Sequence, residues 1–340
     1  MERSNIFVSV LMSVYSEPVP MLKEAIDSIL NQTFQNLEFL VYLDNPNNDE
    51  IWNLLKEYKA KDNRIIIHRN ETNRFLAGTL NDELHVAKGD YIVRMDGDDV
   101  SVTERIACLV DYMETHPQVG VASSWMKEFG HKRAFENRVV RYESDFDKMK
   151  INYLCQTPIA HAPCIIRREI IDKFGPALFN ERCCKTQDYE LWSRLIKEGV
   201  VFGMVNKPLY LRRSTQGAGS NPITYQVIHN QIVRKNMNDV LAQKGIILPN
   251  HVDEEMISQI RHAICQCSGL QKKQMKMIQC ILYSNVYSSP IRRILKMIEN
   301  GDIKCLGVLS LRTLFHFCSL GKLTEMNNIV KSPTQLIYEI

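Results

Sequence analysis

The stretch "GDYIVRMDGDD", residues 89–99, runs an apolar strand, residues 91–95, directly into Asp96, Asp98 and Asp99. Three carboxylates this close repel one another, and burying any of them raises its pKa. A cationic partner is therefore expected beside them. The same stretch marks the carboxyl end of a strand, and the segments before it show what kind of sheet that strand belongs to.

Upstream, the chain alternates between two periods. Residues 6–14 (IFVSVLMSV) are nearly continuous apolar, as in a strand buried on both faces. Residues 21–30 place Leu22, Ile26, Ile29 and Leu30 on one helical face. Then come a strand at 37–43, a helix at 50–58, a strand at 64–68 and a helix at 76–86. Strand and helix alternating in this way predict an α/β fold with a parallel sheet covered by helices on both faces. In such sheets ligands bind outside the carboxyl ends of the strands. That rule gathers SVYSEP (13–18), LDNPNND (43–49) and MDGDD (95–99) at one site.

Downstream, residues 102–113 read as a helix with Ser101 as N-cap and Glu104 in its first turn. Residues 119–126 read as a further strand, and 157–175 and 185–199 as a second sub-layer on the same sheet. From about residue 231 the pattern is helical only. Residues 1–230 carry 28 Lys and Arg against 31 Asp and Glu, whereas residues 231–340 carry 14 against 8. The net charge of +3 therefore hides a basic C-terminal third, and a domain boundary is expected near residue 230. The ten cysteines include no C-x-x-C pair, which argues against a zinc site. No apolar run reaches a membrane span and no signal-peptide pattern is present, so a cytoplasmic protein is expected.

A D-x-D pattern at a strand end suits a hard divalent cation, Mg²⁺ or Mn²⁺, which takes one or two protein carboxylates and fills its other positions with water and substrate phosphate. An EF-hand does not fit, because Val100, Ser101 and Ala107 stand where a ligand, a glycine and a glutamate are needed. A phosphatase using Asp96 or Asp98 as nucleophile is a second reading, although Asp99 and Val100 depart from its usual Gly-Thr run. Asp99 alone also suits a solvated turn ahead of a helix.

Read together and in order, residues 8–45, "GDYIVRMDGDD" and "QDYELWSRL" (187–195) resemble the motifs of family 2 glycosyltransferases of bacterial surface-polysaccharide synthesis. The resemblance covers about residues 6–215 and implies a GT-A fold, mostly parallel, followed by a helical C-terminal region.

The resemblance further implies that Ser13, Tyr15, Glu17 and Asp44 hold the nucleotide, with Asp44 accepting from a uracil N3–H. The family usually has two aspartates then Gly-Ser where this chain has Leu43-Asp44-Asn45-Pro46. In "NETNRFLAGTLN" (70–81) it normally has glycine where Arg74 stands. Arg74 is expected to contact base or phosphate, or else face solvent, and Asn81 to help fix the site. Asp96 is assigned to the ribose or a water-bridged metal contact, Asp98 to the metal, and Asp99 to the metal or a helix terminus. Asp188 is the implied general base, with Glu190 as its rival on the same helix. His161 and Trp192 are placed on the acceptor side, each with a purely structural alternative. Arg212 or Arg213 is implied at the diphosphate, followed by a Gly-rich run at 214–220.

The C-terminal third carries Lys272, Lys273, Lys276, Arg292, Arg293 and Lys296 among apolar helical positions. Such helices suit either an anionic membrane surface, the inner face of the cell membrane, or packing within a subdomain or on a partner. Nucleic acid is excluded for want of an aromatic platform. The expected function is an inverting, metal-dependent sugar transfer from a UDP-sugar to a lipid-linked oligosaccharide. A non-catalytic nucleotide-sugar-binding protein is the third reading.

Overall fold

The computed structural model describes residues 6–130, 137–154, 156–183, 186–214 and 222–242. The chain divides into two compact units, Met1–His229 and Asn230–Ile340. The C-terminal basic segments and residues 215–220 of the Gly-rich run lie outside the described residues.

The first unit begins with the alternation read above. β1 (Val8–Val14), β2 (Leu37–Leu43), β3 (Ile65–Arg69) and β4 (Tyr91–Arg94) are joined through α1 (Val19–Leu30), α2 (Asp49–Lys61) and α3 (Phe75–Val86). They form the parallel half of the sheet in the order β3-β2-β1-β4. All seven residues of β2 are buried, which is why its sequence shows no polar alternation. α1 buries Leu22, Ala25, Ile26 and Ile29, one stripe at helical spacing. Each such Leu or Ile contributes about 1.5–3 kcal/mol relative to exposure. α2 is started by Asn48, whose Oδ1 accepts the Ile51 N–H at 3.1 Å.

Beyond β4 the sheet becomes mixed. β5 (Val100–Ser101), β6 (Val119–Gly130), β7 (Val139–Val140), β8 (Ile165–Arg167) and β9 (Val201–Ser214) extend it, so the full order is β3-β2-β1-β4-β8-β6-β9-β5, with β7 on β6. β8 runs antiparallel to β4 and β6, and β9 runs parallel to β6. The remaining helices are α4 (Arg105–Thr115), α5 (Phe146–Asn152), α6 (Arg168–Phe174), α7 (Gln187–Lys197) and α8 (Pro222–Ala242).

One expected cap is corrected. Ser101 does not start α4. It lies in β5 opposite Tyr210, and its hydroxyl accepts from Arg105 Nε at 2.8 Å and Gln32 Nε2 at 3.0 Å. α4 begins later, with Glu104 at its N-cap position. The fully buried Arg105 then donates to the carbonyls of Arg94 and Ala162 at 3.1 and 3.3 Å. That ties the end of β4 to the segment leading into β8.

Strand order reverses between β1 and β4, since β1 continues to β2 on one side and has β4 on the other. Such a switch point opens a crevice at the carboxyl ends of the two strands. The loops at 15–18 and 95–99 border it.

Candidate active site

Asp44 opens the first half of the site. Val14 and Leu43 are in register, so Tyr15 and Asp44 leave the sheet side by side. Asp44 is buried, and its Oδ1 accepts from Asn70 Nδ2 at 2.8 Å and from the Arg74 backbone N–H at 2.7 Å. Arg74 is not a free cation: Asp82 and Glu181 sit 3.2 and 3.4 Å from its guanidinium. Nor does Arg74 occupy the glycine-like position. Its φ is −92°, whereas Phe75 has φ +56°, so the position suited to glycine is one residue later than the sequence suggested.

The D-x-D loop forms the second half. Glu17 folds back so that its Oε2 accepts the Tyr15 N–H at 2.7 Å. Its side chain lies over Gly97, where an added Cβ would come within 3.3 Å of Glu17 Cγ. Burial pushes the Glu17 carboxyl up, and the charges of Asp98 and Asp96 add to the rise. Asp98 is raised by burial and then by Asp96. Asp99 is the most enclosed of the three, and burial with Asp96 and Asp98 pushes it up to about 8. Its Oδ1 accepts the Arg213 backbone N–H at 2.6 Å. Asp99 therefore ties β9 to the loop, and Asp98 is the more open carboxylate.

Among the described residues no three or more His, Cys, Asp or Glu side chains converge as a metal cage. A Mg²⁺ or Mn²⁺ ion that brings a diphosphate with it needs only one or two protein carboxylates. The mutual repulsion of Glu17, Asp96, Asp98 and Asp99 is what such a cation would relieve. The donor set thus fits a cation shared with substrate.

The two arginines after Leu211 point to different partners, as neighbours on a strand do. Arg212 pairs with Glu128, which Arg138 also holds at 2.6 Å. Arg213 pairs with Glu24 and donates from Nε to the Asp98 carbonyl at 2.8 Å. Only Arg213 joins the aspartate loop.

Sequence reasoning missed the group beneath. Arg94 is buried in β4 and forms an ion pair with Asp96, while its Nε has no hydrogen-bond partner among the described residues. Its charge is felt by Glu83, Asp98, His161, Cys164, Asp188 and Tyr210. Glu83, from the inner face of α3, accepts weakly from the Ser13 hydroxyl at 3.4 Å and is raised well above the ordinary range by burial. Ser13 is thus engaged with α3. Tyr210, also missed, accepts the Asp96 backbone N–H at 3.1 Å. The available signal was a lone arginine inside the apolar run "YIVRM".

On the other side, Asp188 lies in the first turn of α7 and its Oδ1 accepts the Tyr189 N–H at 2.8 Å. Burial raises its carboxyl; Arg94 works against that rise and Asp96 with it. Glu190 instead pairs with Arg194 one turn along the helix, at 3.1 Å. His161 is buried against Phe179 and Trp192, and burial with the Arg94 charge holds it well below its ordinary value, hence neutral. Its Nε2 has no hydrogen-bond partner among the described residues. Trp192 is fully buried, edge-on to Phe202, and is a core side chain beneath His161. Asn81 pins the segment before α7, exchanging bonds with the Phe179 backbone at 2.9 Å each way.

Comparison with known proteins bears on the family and the fold. Residues 9–175 match the Glycosyl transferase family 2 family. The chain is 30% identical over 200 residues to an uncharacterized glycosyltransferase of Methanocaldococcus jannaschii, covering 59% of this chain and 68% of that protein. It is 31% identical over 225 residues to the putative glycosyltransferase EpsE of Bacillus subtilis, covering 65% and 78%. It is also 28% identical over 177 residues to WfaP of Escherichia coli, covering 52% and 64%; that protein is a UDP-Glc:alpha-D-GlcNAc-diphosphoundecaprenol beta-1,3-glucosyltransferase. Two solved structures share the fold. A mannosyltransferase of Pyrobaculum calidifontis, in complex with GDP-Man and Mn²⁺, is 15% identical with TM-score 0.53 and coverage of 95% and 83%. TarS of S. aureus, in complex with UDP-GlcNAc, is 16% identical with TM-score 0.55 and coverage of 88% and 89%. The fold is α/β and GT-A-like, with a mixed, mostly parallel sheet. This chain belongs to glycosyltransferase family 2 and is an enzyme of that family.

Proposed function

We propose that the chain is an inverting, cation-dependent glycosyltransferase that moves a sugar from a UDP-sugar to a hydroxyl of a lipid-diphosphate-linked acceptor in bacterial surface-polysaccharide synthesis. The observation that carries this reading is the gathering of Asp44 and the D-x-D loop at the carboxyl ends of β1, β2 and β4, with Asp96 paired to the buried Arg94 and the loop tied to Arg213 through Asp99 and the Asp98 carbonyl. WfaP, which acts on a diphosphoundecaprenol acceptor with UDP-Glc, supports the donor and acceptor classes.

Asp44 would read the base edge while Asp96 holds the ribose. Asp98, assisted by Arg213, would meet the diphosphate side. A bound Mg²⁺ or Mn²⁺ supplies charge neutralisation of the diphosphate and Lewis acidity at the leaving oxygen. Asp188 takes the proton from the acceptor hydroxyl as its oxygen bonds to the anomeric carbon. The bond from that carbon to the diphosphate oxygen breaks, and its electron pair leaves with UDP. A carboxyl whose pKa is raised by burial is a stronger base than an exposed one. The neutral imidazole of His161 is suited to hydrogen-bond the acceptor without adding charge.

In this reading residues 1–230 are the catalytic domain, and residues 231–340 a basic region that keeps the enzyme at the cytoplasmic membrane surface beside its lipid-borne acceptor. Among the described residues no helix is long and apolar enough to cross a membrane. The test is transfer from a panel of UDP-sugars to a synthetic GlcNAc-diphosphate-lipid with Mn²⁺. A glycosylated lipid product of inverted configuration is expected. Release of inorganic phosphate without a glycosylated product would favour the phosphatase reading instead.

A further inference from the structure

Phe75 carries two liabilities. Its φ of +56° lies in the left-handed region that a bulky side chain adopts only under constraint, and its ring is 65% exposed. Only three large apolar side chains among the described residues are exposed: Tyr15, Phe75 and Val86. Two of these three flank Asp44. Tyr15 leaves β1 beside the end of β2, and Phe75 follows the residue whose N–H is bonded to Asp44 Oδ1.

The local backbone is built to hold this conformation. Asn73 Oδ1 accepts the Phe75 N–H at 2.8 Å, while the neighbouring Arg74 N–H is fixed on Asp44 at 2.7 Å. Glycine would make the same turn without strain. What the position keeps, against both backbone preference and solvent, is the ring. Strain of this kind collects where a ligand is held.

We propose that Phe75 is a base-stacking residue of the donor site, its ring covering the face of the nucleobase whose edge Asp44 reads. This rests on the nucleotide-sugar reading above. Every base has a π-face, so stacking supplies affinity and leaves discrimination to Asp44. The covered base in turn shields the ring from water, and the pre-set backbone means that little freedom is lost on binding.

The test is calorimetric titration of UDP, and separately of inorganic pyrophosphate, into the full chain with Mn²⁺, using wild type, Phe75→Gly and Phe75→Trp. Phe75→Gly should weaken UDP binding roughly 5- to 100-fold, leave pyrophosphate binding unchanged, and melt no lower than wild type because glycine accepts this φ. Phe75→Trp should keep the wild-type affinity for UDP. Equal UDP affinity in wild type and Phe75→Gly would overturn the stacking role and leave the nucleotide-sugar reading standing. Parallel loss of UDP and pyrophosphate would also overturn it, since the damage would then lie in the pocket and not in a base contact. Failure of the wild type to bind UDP at all would overturn both readings.

Discussion

Replacing Asp188 by asparagine should separate what this residue does for catalysis from what it does to stability. The amide preserves shape and the first turn of α7 but cannot take a proton. General-base catalysis contributes about 10²–10⁴-fold, so kcat should fall by that factor, or about 3–5 kcal/mol in barrier. Stability should move the other way. Burial is the largest influence on Asp188 and raises its pKa, outweighing the Tyr189 amide and Arg94. A carboxyl with a raised folded pKa contributes stability that is full below its unfolded pKa and is lost as pH rises through the folded value. At neutral pH the charged side chain is therefore a cost that asparagine removes, less the roughly 0.3–1 kcal/mol a carboxylate gains at a helix N-terminus. A net gain on the order of 1 kcal/mol corresponds to a melting temperature about 2–4 °C higher. The assay pairs UDP release in the presence of acceptor with thermal melting at pH 7.5 and pH 5, and the stability difference should shrink at the lower pH. A variant with near wild-type turnover, or one that loses turnover only because it melts several degrees lower, would refute the assignment of Asp188 as base.

Other substitutions probe the groups around it. Arg94→Met removes the buried partner of Asp96; a fully buried broken pair costs about 3–5 kcal/mol, and because Asp96 keeps 36% of its side-chain exposure about 1–3 kcal/mol is expected by denaturant titration, with turnover falling more than melting explains. Asp44→Asn should weaken UDP binding about 10- to 150-fold, the range of a hydrogen bond to a charged group, and relax selectivity against dTDP less than against GDP in competition assays. Without metal, Asp99 costs stability as pH rises from its ordinary value of 3.8 through about 8, because it must give up a proton that it holds more tightly folded than unfolded; the buried neutral His161 offsets this only below the ordinary histidine value of 6.5, so a net fall is expected from there through about 8. Mn²⁺ should flatten that decline, and a metal-free melting temperature that climbs over this range would contradict the Asp99 environment described here.

Legibility in the sequence followed the range of the interactions involved. The β1–β4 alternation was readable because a fully apolar run and a 3.6-residue stripe are local patterns, as in β2 and α1. The antiparallel β8 and the long β6–β9 ladder were not, since their partners lie about 40–80 residues away and nothing in either strand names the other. Ser101 shows the same effect at one residue. Its serine-before-helix pattern suggested a cap, yet β9 returns to pair with it and Gln32 and Arg105 take its hydroxyl. The aspartates stood out because charge at a strand end is conspicuous. Arg94 stood just as plainly in the apolar run, but its meaning depends on Glu83 and Asp188, carboxyls of α3 and α7 that feel its charge. The glycine-like turn was placed one residue early because φ leaves no mark on composition; only the structure shows that Phe75 bears it.

In the proposed function the D-x-D loop binds a nucleoside diphosphate through a shared cation. Calorimetric titration of UDP into wild type and Asp98→Ala, each with and without Mn²⁺, tests it most directly. Binding should require Mn²⁺ in the wild type and be lost in Asp98→Ala, with the melting temperature of the metal-free variant at or above that of wild type. UDP binding of equal strength with and without the cation, or retained in Asp98→Ala, would contradict it.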